Sequence, residues 1–339
     1  MSQRKSFTWI DYTKVFAIIC VVATHLFMSF EQLGWVKKSD AYYSIPIQIS
    51  LVLSVQLFFV CSGFLYQQFR KDTTVKGHFK NVLNKLIALG VPYIIFTTIS
   101  IVIKNVFASS VNREATPILK TLFIKPMAPY WYLYVLFVFF LIIPCVNDKR
   151  KIYAIFAVSV ILKLAYVFIP IKLPYVFMQI VSNSIWFTFG MLLTNIKLKY
   201  NLLEKVICIV LGFTGVSLSI YFFRNTNETK TVRFAISILL VLFCLYLFMW
   251  ISKGSDGRIV SRLRNYVLPV FLMHTIFAAG ARIAMLKVGI RAMPIHIFVG
   301  LIASFALPML VYMFVKNKWY LLIFIEPLKA WKMRKQKNK

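Results

Sequence analysis

The sequence predicts an all-α membrane protein: a polytopic bundle of about ten transmembrane helices with both termini in the cytoplasm. Three observations carry that prediction. The 339 residues are 60% hydrophobic and 17% aromatic. Their mean hydropathy is +0.76, whereas soluble domains are typically under half apolar. Apolar runs near the length of one bilayer crossing recur along the chain, separated by short basic loops. About 20 apolar residues cross roughly 30 Å of hydrocarbon.

Ten spans follow in order: 12–30, 45–67, 86–103, 130–146, 152–169, 175–194, 204–223, 233–252, 265–283 and 296–315. Each must be helical, because lipid offers no water to satisfy the backbone. The first is too long and too polar at its start for a cleaved signal, and no A-x-A-like site follows it. The third and ninth have the least defined ends. The segment "WYLLIFIEPLKAW" (Trp319–Trp331) is short and interrupted by Glu326 and Pro327, so it reads as an extension or interfacial helix. No repeat, low-complexity tract or appended soluble domain is expected.

Orientation comes from Lys and Arg in the loops. With the N-terminus inside, 26 basic residues fall on the cytoplasmic side and 13 outside, and Lys163 lies within a span, which accounts for all 40. The formal charge of +30 therefore reads as topology signal and contact with anionic lipids. No stacking or groove-reading module accompanies it, so nucleic acid is excluded as a partner. The five cysteines (Cys20, Cys61, Cys145, Cys208 and Cys244) sit in or beside apolar runs without C-x-x-C spacing, and are read as small buried hydrophobes.

The first span, "DYTKVFAIICVVATHLFMSF" (Asp11–Phe30), carries costly polar groups. At about 100° per residue, the eleven steps from Lys14 to His25 make three turns plus about 20°, so the two share a face. They lie roughly 16 Å apart along the axis. Asp11 stands three residues before Lys14, a spacing that allows an ion pair. An intramembrane ionisable group is functional by default, so His25 is the leading candidate. Of the four histidines (His25, His78, His274 and His296), no two have metal-ligand spacing on one helix, and no metal is expected.

These pieces resemble the membrane-bound acyltransferase family 3, bacterial integral membrane enzymes that O-acylate cell-surface glycans. Lys14 and His25 match the family's basic residue, ten intervening residues and His, with Lys where Arg is commoner. "LFFVCSGFL" (Leu57–Leu65), "PYWYLYVL" (Pro129–Leu136), "FTFGMLL" (Phe187–Leu193) and "VFLMHTIF" (Val270–Phe277) resemble its later motifs in family order. The resemblance implies one membrane acyltransferase domain over 1–330 with a basic cytoplasmic tail over 331–339, in a bacterial plasma membrane. It implies acyl-CoA, most often acetyl-CoA, as donor, and a hydroxyl of a cell-surface or lipid-linked glycan as acceptor.

The residues suit that chemistry. Phosphates of coenzyme A want cations at the cytoplasmic mouth. Lys14 is there, with Arg70, Lys71, Lys80 and Lys85 in the basic loop after the second span. The thioester arm would run along the stripe toward His25. A sugar hydroxyl needs a base as it attacks, and imidazole has a suitable reference pKa near 6.5. General base work typically contributes roughly 100- to 10,000-fold; a covalent acyl-imidazole relay is the alternative. His274 is the second catalytic candidate. Ser62, beside Gly63, is read as oxyanion support or close helix packing. Trp131 is read as an outer-interface anchor or as a platform that stacks on a sugar ring, and Lys163 as snorkelling outward. His78 and His296 are read as loop or interface residues without a role. A glycan exporter or flippase is the competing class, although no repeated halves with broken helices are visible. A structural membrane subunit would leave the Lys14–His25 stripe unexplained.

Overall fold

The computed structural model describes residues 7–37, 40–69, 72–106, 117–224 and 228–337. Among these, every regular element is helical. Nine helical stretches are long and apolar enough to cross a membrane, and a short apolar helix fills the place of the fourth predicted span.

Helix α1 is Thr8–Gln32, and the second predicted span is two helices, α2 (Ala41–Leu51) and α3 (Ser54–Phe69). The break between them is held by side chains. The Ser237 hydroxyl donates to the Val52 carbonyl at 2.5 Å, and Ser54 donates to the Ser50 carbonyl at 2.8 Å. Helix α4 (Val75–Lys85) starts at Thr74, whose hydroxyl accepts from the Gly77 N–H. It passes through a π turn (Leu86–Gly90) into α5 (Val91–Val106). Pro92 has no N–H to continue the α ladder, and the backbone reorganises ahead of it.

Helix α6 (Trp131–Ile142) has 12 residues, which reach only about 18 Å. It begins with Tyr132 beside Phe58 of α3, and ends where Tyr66 donates to the Ile143 carbonyl. The π turn Lys120–Ile124 comes before it, tied in by the Tyr93 hydroxyl donating to the Leu122 carbonyl at 2.6 Å. Irregular backbone is tolerated at membrane depth where protein or a cavity surrounds it, and residues 125–130 meet that condition.

Then come α7 (Lys149–Phe168), α8 (Tyr175–Leu193), α9 (Leu202–Arg224), α10 (Lys230–Gly254), α11 (Arg258–Leu263), α12 (Val267–Lys287), α13 (Met293–Val315), α14 (Trp319–Leu322) and α15 (Pro327–Lys337). Asp148 and Thr229 cap α7 and α10 by accepting from Arg150 and Val232.

Contacts fix which ends share a face of the bundle. Asp11 pairs with Arg264, Tyr12 bonds Ser255, and Gln67 donates to the Val146 carbonyl. Tyr266 packs on Tyr312, which also bonds Glu326. The start of α1, the ends of α3, α6, α10 and α13, and the start of α12 therefore lie on one face, the N-terminal face. Phe7 and the segment after α13 are thus on the same side, as an even number of crossings requires.

Helix α3 is the centre, with Leu57, Phe59, Val60 and Cys61 fully buried. It packs on α8 with backbones nearly touching: a Cβ on Gly63 would overlap the Phe187 carbonyl, and one on Gly190 the Val60 carbonyl. Small residues permit that approach. Helices α7 and α9 lie outside; α7 buries only Ile152 and Ser159, and α9 exposes Leu203, Ile209 and Phe213.

Candidate functional site

His25 lies in the second half of α1, away from the N-terminal face, and forms part of two cavities. The larger, of about 480 Å³, lies toward α7, α8 and α10. The smaller, of about 390 Å³, lies toward α5 and α12. His25, Met28 and Ala128 line both. The imidazole is thus on the partition, with the irregular segment before α6 completing the wall.

Across the smaller cavity stands His274, its ring centroid 5.4 Å from that of His25. His274 Nδ1 is 2.9 Å from the Val270 carbonyl oxygen and 3.0 Å from that of Phe271. Carbonyls only accept, so Nδ1 carries hydrogen, and the neutral ring presents a lone pair at Nε2. That Nε2 is buried with no hydrogen-bond partner, an orphan acceptor beside His25. Tyr130 fixes this stretch of α12. It is fully buried, its hydroxyl donates to the Leu272 carbonyl at 2.9 Å, and it lies 2.9 Å from Ser100 Oγ. The first tyrosine of "PYWY" is therefore a strut between α5, α6 and α12.

At the N-terminal face, Lys14 and Lys85 converge within electrostatic reach of each other. Lys85 Nζ lies 4.3 Å from the centroid of Phe140 on α6. Arg70 and Lys71 lie outside the described residues. Asp11 is buried, and its ion pair at 3.1 Å is with Arg264 rather than Lys14; that partner is 253 residues away and invisible to helix spacing. Between Lys14 and His25 the stripe is packed: Ile18, Val21, Leu57 and Cys61 are all buried.

Other predicted residues are redistributed. Ser62 Oγ lies 3.1 Å from the Tyr132 hydroxyl, and Tyr132 lines the larger cavity, so Ser62 supports that wall from behind. Trp131, the first residue of α6, lies on the wall itself. Lys163 turns inward instead of snorkelling, donating to the Ser182 carbonyl at 3.0 Å and lining the larger cavity. His296 is buried rather than interfacial, with Nε2 donating to the Ile290 carbonyl at 2.9 Å. His78 contacts the Leu141 carbonyl through Nε2 at 3.1 Å.

Sequence reasoning missed the polar lining contributed by Gln56, Gln179, Asn183, Lys230 and Arg233. The only available signal was the i, i+3 spacing of Lys230 and Arg233, which places both on one face of the first turn of α10. Among the described residues no three His, Cys, Asp or Glu side chains gather as a metal site.

A family model described as an acyltransferase domain matches residues 7–313. That is most of the chain and includes every helix bordering both cavities. No curated protein and no solved structure gives a significant match. The chain belongs to the acyltransferase family 3.

Proposed function

We propose that this member of the acyltransferase family 3 moves an acyl group, acetyl above all, from cytosolic acyl-CoA to a hydroxyl of a cell-surface or lipid-linked glycan, across a bacterial plasma membrane. The observation that carries the reading is His25: an imidazole on the partition between two cavities, with a second imidazole facing it. An imidazole with cavity on both sides can take a proton from one bound group while another is presented to it.

In this reading the N-terminal face is cytoplasmic, and Lys14 and Lys85, with Arg70 and Lys71, meet the phosphates of coenzyme A. Charge-assisted contacts of that kind contribute about 1.5–3 kcal/mol each. The thioester arm must then pass Ile18, Val21 and Leu57, so donor loading parts α1 from α3. The acceptor occupies a cavity from the outer side. As its oxygen bonds to the acyl carbon, its proton passes to His25. The carbon–sulfur bond breaks, and the proton returns to the leaving thiolate. His274, pinned through Nδ1, offers Nε2 to a proton on His25 or on the acceptor. A relay through an acyl-imidazole on His25 uses the same placement.

The test is thiol release by the purified protein in lipid nanodiscs given acetyl-CoA. Thiol release that rises with added glycan, together with labelled acetyl recovered on that glycan, supports the reading. An exporter or structural subunit would leave the thioester intact, and that result overturns it.

A further inference from the structure

The larger cavity carries a charge that acyl transfer alone does not require. Its wall includes Lys163, Lys230 and Arg233, and its described lining contains no Asp or Glu. Arg233 Nη1 is held by Glu228 at 2.5 Å and by Gln48 Oε1 at 2.6 Å. Among the described residues the two lysines find only neutral partners. Lys163 Nζ donates to the Ser182 carbonyl and lies 4.9 Å from the Phe234 ring centroid. Lys230 Nζ donates to the Tyr166 carbonyl at 3.2 Å and lies 4.2 Å from the Tyr166 ring centroid. The two ammonium groups are also within electrostatic reach of each other.

Like charges gathered on one cavity wall repel, and an anionic occupant relieves that repulsion. Among the described residues, three cations against one carboxylate leave two positive charges for an occupant to neutralise. The rest of the wall suits a sugar. Trp131, Trp186 and Tyr132 supply flat faces, and Gln56, Gln179 and Asn183 supply amides. Gln56 Oε1 is buried without a hydrogen-bond partner, an acceptor waiting for a hydroxyl. The volume of about 480 Å³ falls within the range of small-molecule sites.

We propose that the acceptor is an anionic glycan, bearing a phosphate or carboxylate near the acylated hydroxyl, with the anion held by Lys163, Lys230 and Arg233 and the hydroxyl at His25. The inference rests on the acyl-transfer reading and names its acceptor class.

The experiment uses the full chain in nanodiscs with acetyl-CoA and matched acceptor pairs: a methyl hexoside against its uronic acid, and glycerol against glycerol phosphate. The wild type should favour the charged member by at least tenfold in kcat/KM. Lys163→Met with Lys230→Met should bring that ratio close to one, through KM, while Lys163→Arg with Lys230→Arg should keep it. A wild type without charge preference, or a preference that survives the double Met variant, overturns the inference and leaves acyl transfer standing. So does a double Met variant that loses only a dependence on added phosphatidylglycerol, because the cavity would then hold a lipid headgroup. Acetyl transfer to no acceptor, with the thioester intact, overturns both readings.

Discussion

Gly63→Ala should destabilise the protein by about 2 kcal/mol. The added Cβ would overlap the Phe187 carbonyl, with the α-carbon of Phe187 behind it. Backbone cannot change rotamer, so α3 and α8 must separate along the interface that centres the bundle. Overpacking of this kind typically costs about 1–3 kcal/mol, and a backbone obstacle places it near 3. Alanine returns about 1 kcal/mol of helix propensity. Gly190→Ala meets the Val60 carbonyl on the same interface, so the double variant should cost less than the sum, because the first separation makes room for the second. Gly280→Ala in α12 is the control, since nothing lies within 4 Å of its new Cβ; it should be neutral or mildly stabilising. Thermal unfolding in one detergent, read on all four variants, checks the series. If Gly63→Ala is as stable as the wild type while Gly280→Ala is not, close backbone packing is not what the SGF motif provides.

Three further outcomes are expected. Reporter fusions at Lys37 and at the C-terminus should report opposite sides, with the C-terminus cytoplasmic; the same side for both would contradict the short fourth crossing. Lys14→Ala should raise KM for acyl-CoA about tenfold or more, the loss expected of one charge-assisted phosphate contact, and Lys14→Arg should not; unchanged donor affinity in the Ala variant would assign Lys14 to structure. Tyr130→Phe removes the hydroxyl shared by Ser100 and Leu272, and should cost about 1–3 kcal/mol in unfolding and lower kcat more than it raises the donor KM, because α12 carries His274.

The spans were legible because apolar length is a property of the chain alone. The interruptions were not. The α2–α3 break depends on Ser237 reaching the Val52 carbonyl from α10, and the short α6 depends on tyrosines that fasten the irregular backbone before it. A hydropathy window does not register hydrogen bonds supplied by distant helices. His25 was legible because a lone imidazole in an apolar run needs a reason, and His274 because its motif pointed to it. The polar wall was harder to read. Lys163 is near the end of its helix, where snorkelling is the ordinary outcome, and its inward turn depends on Ser182 and Phe234. Lys230 and Arg233 look like loop charges until α10 is placed against α7 and α8. Asp11 shows the same limit, since the nearer cation by spacing is not its ion-pair partner.

The central claim is that His25 performs the proton chemistry of acyl transfer. The direct measurement is glycan-dependent acetyl transfer by purified His25→Ala and His25→Gln in nanodiscs. Both variants should insert and fold, since each removes an ionisable group from an apolar helix, and Gln keeps hydrogen bonding while losing the proton acceptor. The account predicts that both lose at least the roughly 100-fold expected of a missing general base, with acyl-CoA affinity retained because Lys14 and Lys85 are untouched. Wild-type transfer by both would contradict it; activity in Gln alone would make His25 a positioning residue and move the base to His274.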